Sequence, residues 1–165
     1  MSATYCPDCG APLAPVQRSG RTRKVCPDCG YIEYRNPAVG VAVILRDQRG
    51  RVLLGRRATG DYAGLWCIPC GYVEWDEDVR EAARREFEEE TGVTVDLGDV
   101  VAVHSNFHNR DKQTVGIWFE GHAISGELHP VDGELTELDW FEPGDPPELA
   151  FPTDGLVLEE LADQR

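Results

Sequence analysis

The sequence predicts an α/β domain with a mixed sheet, led by a small cysteine-nucleated segment. Three observations predict it. Val39–Leu45 is almost continuously apolar, as a central strand buried on both faces would be. Asp78–Thr91 repeats apolar residues at helical spacing. Cys6-Pro-Asp-Cys9-Gly and Cys26-Pro-Asp-Cys29-Gly are copies of one motif near the N-terminus.

The cysteine copies come first in the chain. Their spacing, C-x2-C-x16-C-x2-C, reads as a zinc ribbon. Each turn aims two thiolates at one metal, and the following glycine lets the backbone fold under the sulfurs. Four thiolates (Cys6, Cys9, Cys26 and Cys29) close a tetrahedral shell with no open position, so the predicted Zn2+ is structural. A segment this short cannot build its own core, and the metal must supply the folding energy. Two disulfides or a dithiol redox pair is the competing account. It lacks both a secretory signal and a thioredoxin-like βαβ context. The expected domains are therefore 1–35, a zinc ribbon, and 36–165, the α/β unit.

Charge divides at the same point. The chain's net charge is −14, but residues before Asn36 carry five cations against three acids, leaving −16 on the remainder. So acidic a protein repels a phosphate backbone, which disfavours general nucleic-acid binding. No apolar run approaches the ~20 residues needed to span a membrane. No secretory signal opens the chain, and cytoplasmic residence is the expectation.

After Val39–Leu45, Asp47–Gly50 reads as a turn and Arg51–Arg57 as a second strand. In Leu65–Pro69 and the residues after it, Cys67-Ile68-Pro69-Cys70 imitates the ribbon motif. If this stretch is extended, its two cysteines point to opposite faces and cannot share a metal. They read as small buried hydrophobes, with a reactive thiol beside the site as the alternative.

The helix Asp78–Thr91 ends at Gly92, the usual left-handed stop. Val79, Ala82, Ala83 and Phe87 form its apolar stripe, and Arg80, Glu81, Arg84 and Glu88 take the solvent side. Glu86 and Glu90 fall inside the stripe, with Glu89 on its flank. Ionised carboxylates facing a core are expensive unless something cationic meets them. A hard divalent cation, Mg2+ or Mn2+, is the simplest remedy. Further strands are expected at Val93–His104, Thr114–Ala123 and Gly133–Phe141. Pro143–Pro152 reads as a loop, and Thr153 or Asp154 as the cap of a last helix burying Val157, Leu158 and Leu161.

One pattern carries a family resemblance: Gly71-x5-Glu77-x7-Arg85-Glu86-Phe87-x-Glu89-Glu90-x-Gly92-Val93. It resembles the Nudix box of Nudix hydrolases at every defined position, and the likeness extends from about Asn36 to the C-terminus. The resemblance implies an α/β/α sandwich and a nucleoside diphosphate linked to another moiety as substrate. It implies Glu86 and Glu90 as the main Mg2+ ligands, with the Gly71 carbonyl as another. Glu89 would be a further ligand or the base, and Arg85 would orient the glutamates. Glu77 is a secondary candidate for the same patch. A glycine is common where Cys70 stands. A homodimer is compatible with the resemblance.

The residues themselves suit water attack on a diphosphate, with metal and arginine neutralising the charge that develops. Arg56 and Arg57 precede the site and are candidates to clamp phosphates. The aromatic and proline signature of the NADH pyrophosphatases is missing; His104-Ser105-Asn106-Phe107-His108-Asn109 stands in its neighbourhood. The downstream proline typical of many ADP-ribose pyrophosphatases is absent too. The layout nevertheless resembles zinc-ribbon Nudix proteins associated with ADP-ribose or flavin dinucleotide hydrolysis, and that resemblance implies ADP-ribose, flavin dinucleotide or a similar dinucleotide as the favoured substrate. Phe107, Trp118 and Phe119 read first as core and second as base-stacking residues. His104, His108 and His122 read as ordinary strand or loop residues. The other classes to weigh are a nucleotide-sensing module without turnover and a nucleic-acid or protein adaptor acting through Arg18, Arg21, Arg23 and Lys24.

Overall fold

The computed structural model describes residues 3–109 and 112–163. The chain divides into two compact units, Met1–Pro37 and Ala38–Arg165. In the first, β1 (Ala14–Arg18), β2 (Arg21–Val25) and β3 (Ile32–Glu33) form an antiparallel sheet. Ser19 and Gly20, both at positive φ, make the two-residue turn from β1 to β2, a turn whose twist matches that of the flanking strands. The two cysteine knuckles close alike. Gly10 N–H donates to the Cys6 carbonyl at 2.9 Å, and Gly30 N–H to the Cys26 carbonyl at 3.1 Å.

The second unit has strands β4 (Ala38–Leu45), β5 (Val52–Arg57), β6 (Trp66–Cys67), β7 (Cys70–Tyr72), β8 (Val93–Asn106), β9 (Thr114–Gly126) and β10 (Leu135–Phe141). Its helices are α1 (Val79–Thr91) and α2 (Pro152–Asp163). The strands lie in two sheets, β7-β4-β9-β8 and β10-β5-β6. β4 runs parallel to β9 while the other pairs are antiparallel, so the architecture is mixed α/β.

Side-chain alternation explains the continuous apolar run of β4. Val41, Val43 and Leu45 pack with Ala82, Ala83 and Phe87 of α1. Ala42 and Ile44 point the other way, onto Val157, Leu158 and Leu161 of α2. β5 divides likewise, Leu53 toward α1 and Val52 and Leu54 toward α2. One helix therefore covers each face, giving the expected sandwich. Phe87 is fully buried. Its burial contributes about 2–3 kcal/mol, and truncating it to alanine costs about 3–5 kcal/mol.

Helix α1 starts at Val79 because Asp78 caps it, accepting from Arg80 N–H at 2.8 Å. It stops at Gly92, whose φ of 72° is left-handed and whose N–H donates to the Glu88 carbonyl at 2.8 Å. Among the residues assigned to the solvent side, Arg80 is half-buried. Its guanidinium lies 4.9 Å from the Phe119 ring centroid and donates to the Gly98 carbonyl at 2.9 Å.

Two local expectations are corrected. Pro152 does not end a loop but begins α2, a position where its missing N–H costs nothing. Thr153 and Asp154 then lie buried in the first turn rather than before it. The chain also does not stay extended through Cys70, because it bends at Pro69 between β6 and β7. Cys67 packs with Leu135 and Ala150, while Cys70 pairs with Ala42 of β4. Among the described residues, no helix is long and apolar enough to cross a membrane.

Candidate active site

The inward face of α1 meets the β7 segment, and the predicted carboxylates collect there. Glu90 is 1% exposed. Its Oε2 accepts from the Cys70 backbone N–H at 2.8 Å, whereas its Oε1 is buried without a partner among the described residues. Burial pushes the Glu90 carboxyl well above its ordinary value. Glu86, one turn earlier, is half-buried, and burial raises it too.

Gly71 explains how Glu86 fits. A Cβ at position 71 would fall within the Glu86 carboxylate. The Gly71 backbone is not at positive φ, so the glycine serves close approach rather than a turn.

Arg85 gathers the remaining acids. Its Nε and Nη2 hold Glu77 with two bonds of 2.8 Å, and its Nη1 reaches Glu86 at 2.9 Å and Glu89 at 3.1 Å. Nη2 also donates to the Tyr72 carbonyl at 3.2 Å. The Arg85 hydrogen bonds hold the Glu77 carboxyl down at about 2. One planar guanidinium thus orders three carboxylates, which a lysine cannot do. Glu89 is exposed at the rim, while Glu86 and Glu90 line the interior.

Beside this cluster lies a cavity of about 480 Å3. Gly71 and Glu86 form part of its wall, with Arg57, Cys70 and Lys112 nearby. Arg57 and Arg56 separate here. Arg57 lines the cavity with its guanidinium 5.4 Å from the Phe151 ring centroid. Arg56 is exposed and engages Glu137 at 3.5 Å and the Gly64 carbonyl at 3.0 Å.

The aromatic wall comes from residues that periodicity does not mark. Tyr62 meets His108 and Phe151 edge-on, at 5.4 and 5.6 Å between centroids. His108 is therefore a cavity residue rather than a plain loop residue, and its Nδ1 contacts Asn106 Oδ1. Trp118 is core and cavity lining at once, Phe119 is core only, and Phe107 is exposed. Asp154 also lines the cavity, accepting from Ile68 N–H at 3.0 Å and Trp118 Nε1 at 3.3 Å. Burial raises its carboxyl to about 7. The acid cluster and this cavity together can hold a cation beside an aromatic, partly cationic slot.

Comparison with known proteins gives the family. The NUDIX domain model matches residues 36–161. The chain belongs to the Nudix family. An ADP-ribose pyrophosphatase of Methanocaldococcus jannaschii is 33% identical over 133 residues, 79% of this chain and 77% of that protein. An NAD-capped RNA hydrolase NudC of Chromobacterium violaceum is 30% identical over 153 residues, 92% of this chain. The chain spans 54% of the length of that NudC. A crystal structure of a Nudix hydrolase from Nitrosomonas europaea superposes with a TM-score of 0.82 at 29% identity, covering 99% of this chain and 92% of its own. The protein is a Nudix hydrolase.

The other predicted metal group lies in the Met1–Pro37 unit. The sulfurs of Cys6, Cys9, Cys26 and Cys29 all lie within 4.8 Å of one another. The Cys6–Cys29, Cys9–Cys26 and Cys9–Cys29 separations are 3.5, 3.4 and 3.6 Å. A tetrahedron with Zn–S bonds near 2.3 Å has edges of about 3.8 Å, so the cluster is compatible with zinc.

Proposed function

We propose that this Nudix hydrolase cleaves the diphosphate of a nucleoside diphosphate joined to a second moiety, by attack of water and with Mg2+ or Mn2+. ADP-ribose, flavin dinucleotide and similar dinucleotides are the favoured substrates, and the pyrophosphatase relative supports the first of these. The carrying observation is Glu90, a buried carboxylate with one oxygen already bonded and the other without a partner. An unpaired buried charge costs several kcal/mol. A hard cation removes that cost, so the residues present fit a divalent metal.

Glu86, Glu90 and the Gly71 carbonyl would hold the ion. When bound, it supplies a coordinated water of lowered pKa and charge neutralisation at the phosphoryl oxygens. The chain's own groups do the rest. Arg85 fixes the carboxylates, and Glu89 at the rim is available as a further ligand or as proton acceptor. Arg57 offers cationic hydrogen bonds to the phosphates. Tyr62, His108 and Phe151 give a nucleobase an aromatic wall. Cys6, Cys9, Cys26 and Cys29 hold a structural Zn2+ in this account.

The test is a hydrolysis screen over ADP-ribose, flavin dinucleotide, NADH, dinucleoside polyphosphates and nucleoside triphosphates, with products identified and Glu90→Gln alongside. A nucleoside monophosphate released by the native protein and lost in the variant is expected. Tight nucleotide binding without hydrolysis under either metal would instead identify a sensing module.

A further inference from the structure

The hairpin of the Met1–Pro37 unit segregates its charges in a way that sequence order hides. The register pairs Arg18 with Arg21, Val16 with Arg23, Gln17 with Thr22, and Pro15 with Lys24. Side chains alternate along a strand and directly paired residues share a face. Arg18, Arg21 and Arg23 therefore occupy one face, and Lys24 occupies the other. The Gln17 Nε2 to Thr22 Oγ1 bond of 2.7 Å marks that second face.

On the second face the one cation, Lys24, stands opposite an acid and has a hydrogen-bond partner. Lys24 pairs with Glu33 across the strands and donates to the Ala3 carbonyl, while Ala3 N–H donates to Glu33 Oε1. On the first face, among the described residues, no ion pair involves Arg18, Arg21 or Arg23. Arg18 and Arg21 are directly opposed, an arrangement that destabilises a hairpin through like-charge repulsion. Tyr34 joins this face. Its ring lies under the Arg23 guanidinium at 4.7 Å yet remains 59% exposed.

We propose that this face binds a single-stranded polynucleotide. Three clustered cations without an ion-pair partner among the described residues give a polyanion favourable contacts. Arg21 and Arg23 sit two residues apart, about 7 Å along the strand, which suits successive phosphates of an extended chain. The open face of Tyr34 offers a stacking platform for one base, and such stacking tolerates any base. The −16 carried by the rest of the chain excludes a polyanion from its general surface. The acidic composition therefore argues against general binding, and the hairpin is the local exception. This proposal does not rest on the diphosphate chemistry.

The test uses the full zinc-loaded chain, a short fluorescein-labelled oligouridylate and its deoxy counterpart, with anisotropy read across a salt series. The native protein is expected to bind, with affinity falling as salt rises. Arg18→Gln/Arg21→Gln/Arg23→Gln should weaken binding at least ~10-fold. It should also flatten the log–log salt slope by about 2, since each phosphate contact on a single strand contributes about 0.7. Tyr34→Ala should weaken it about 10-fold and Tyr34→Phe should restore it. Zinc content and hydrolysis of ADP-ribose are measured on each variant. Unaltered values show that the fold and the catalytic site survive. Absence of hydrolysis in the native chain removes the catalytic proposal without touching this one. Salt-insensitive binding, equal binding by the triple variant, or binding to anionic vesicles but not to either oligonucleotide would overturn it.

Discussion

Glu90 is held to Cys70 by a single backbone hydrogen bond of 2.8 Å, and this contact ties α1 to the strand that follows the Pro69 bend. The bond satisfies one carboxylate oxygen and leaves the other buried without a partner among the described residues. A group in this state destabilises the metal-free fold, because its charged form is buried and unpaired. The proposed metal site supplies a reason for a carboxylate here that the metal-free fold does not.

Glu90→Gln separates those two effects. The amide oxygen can keep the Cys70 bond, while the buried charge disappears. Turnover should fall at least ~100-fold, as for loss of a metal-site carboxylate. The melting temperature in chelator should stay level or rise. Steady-state hydrolysis and thermal unfolding check both halves, and a variant with full turnover would sink the assignment of Glu90.

Gly71→Ala probes the approach of Glu86. The added methyl falls on a carboxylate, the mobile end of a side chain, rather than on backbone. Glu86 can swing away, so the stability cost should stay below about 1 kcal/mol, under the usual range for overpacking. Swinging away pulls Glu86 from its place near Arg85, and turnover should fall at least ~10-fold. A large loss of stability with unchanged activity would contradict this account.

The helix and its cluster are legible in the sequence because both rest on local spacing. Ala83, Phe87 and Glu90 follow one another at steps of four and three, with Ala82 beside them, and Asp78 and Gly92 punctuate the ends. The cavity is not legible that way. Tyr62 comes from the loop between β5 and β6, His108 from the loop after β8, Phe151 from the residue before α2 and Asp154 from its first turn. Their meeting is set by sheet pairing across almost the whole second unit. The Pro69 bend escaped for a related reason, since Cys67 and Cys70 belong to strands of different sheets. The charged hairpin face needed its register, because Arg18, Arg21, Arg23 and Lys24 look alike until Ser19 and Gly20 fix the turn.

The Glu77–Arg85 pair should appear in the acid limb of stability. Glu77 titrates at about 2 in the fold against an ordinary 4.5, through its hydrogen bonds to Arg85. A depressed carboxyl contributes stability that is full above the unfolded value and lost as pH falls through the folded one. The melting-temperature advantage of the native chain over Glu77→Gln should hold above pH 4.5 and shrink from there toward pH 2. The comparison is made in chelator, so that metal does not enter. A gap that instead widens on acidification would show that Glu77 is not stabilised by Arg85.

The two predicted metals should separate by what their removal does. A 37-residue unit is too small to hold together on buried apolar area alone. Among its described residues, the buried hydrophobic side chains are Cys6, Val25 and Cys26. Weak contacts among four clustered thiols are no substitute for bonds to a shared cation. A strong zinc chelator should therefore expose amides of Met1–Pro37 to hydrogen exchange while those of β4, β9 and α1 stay protected. Withdrawing Mg2+ alone should abolish turnover and leave exchange in both units unchanged. Cys26→Ser should reproduce the chelator's exchange pattern without any chelator, which excludes stripping of Mg2+ as the cause. Turnover that depends on zinc and ignores magnesium would reverse the division of labour and move the chemistry from the glutamates to the cysteines.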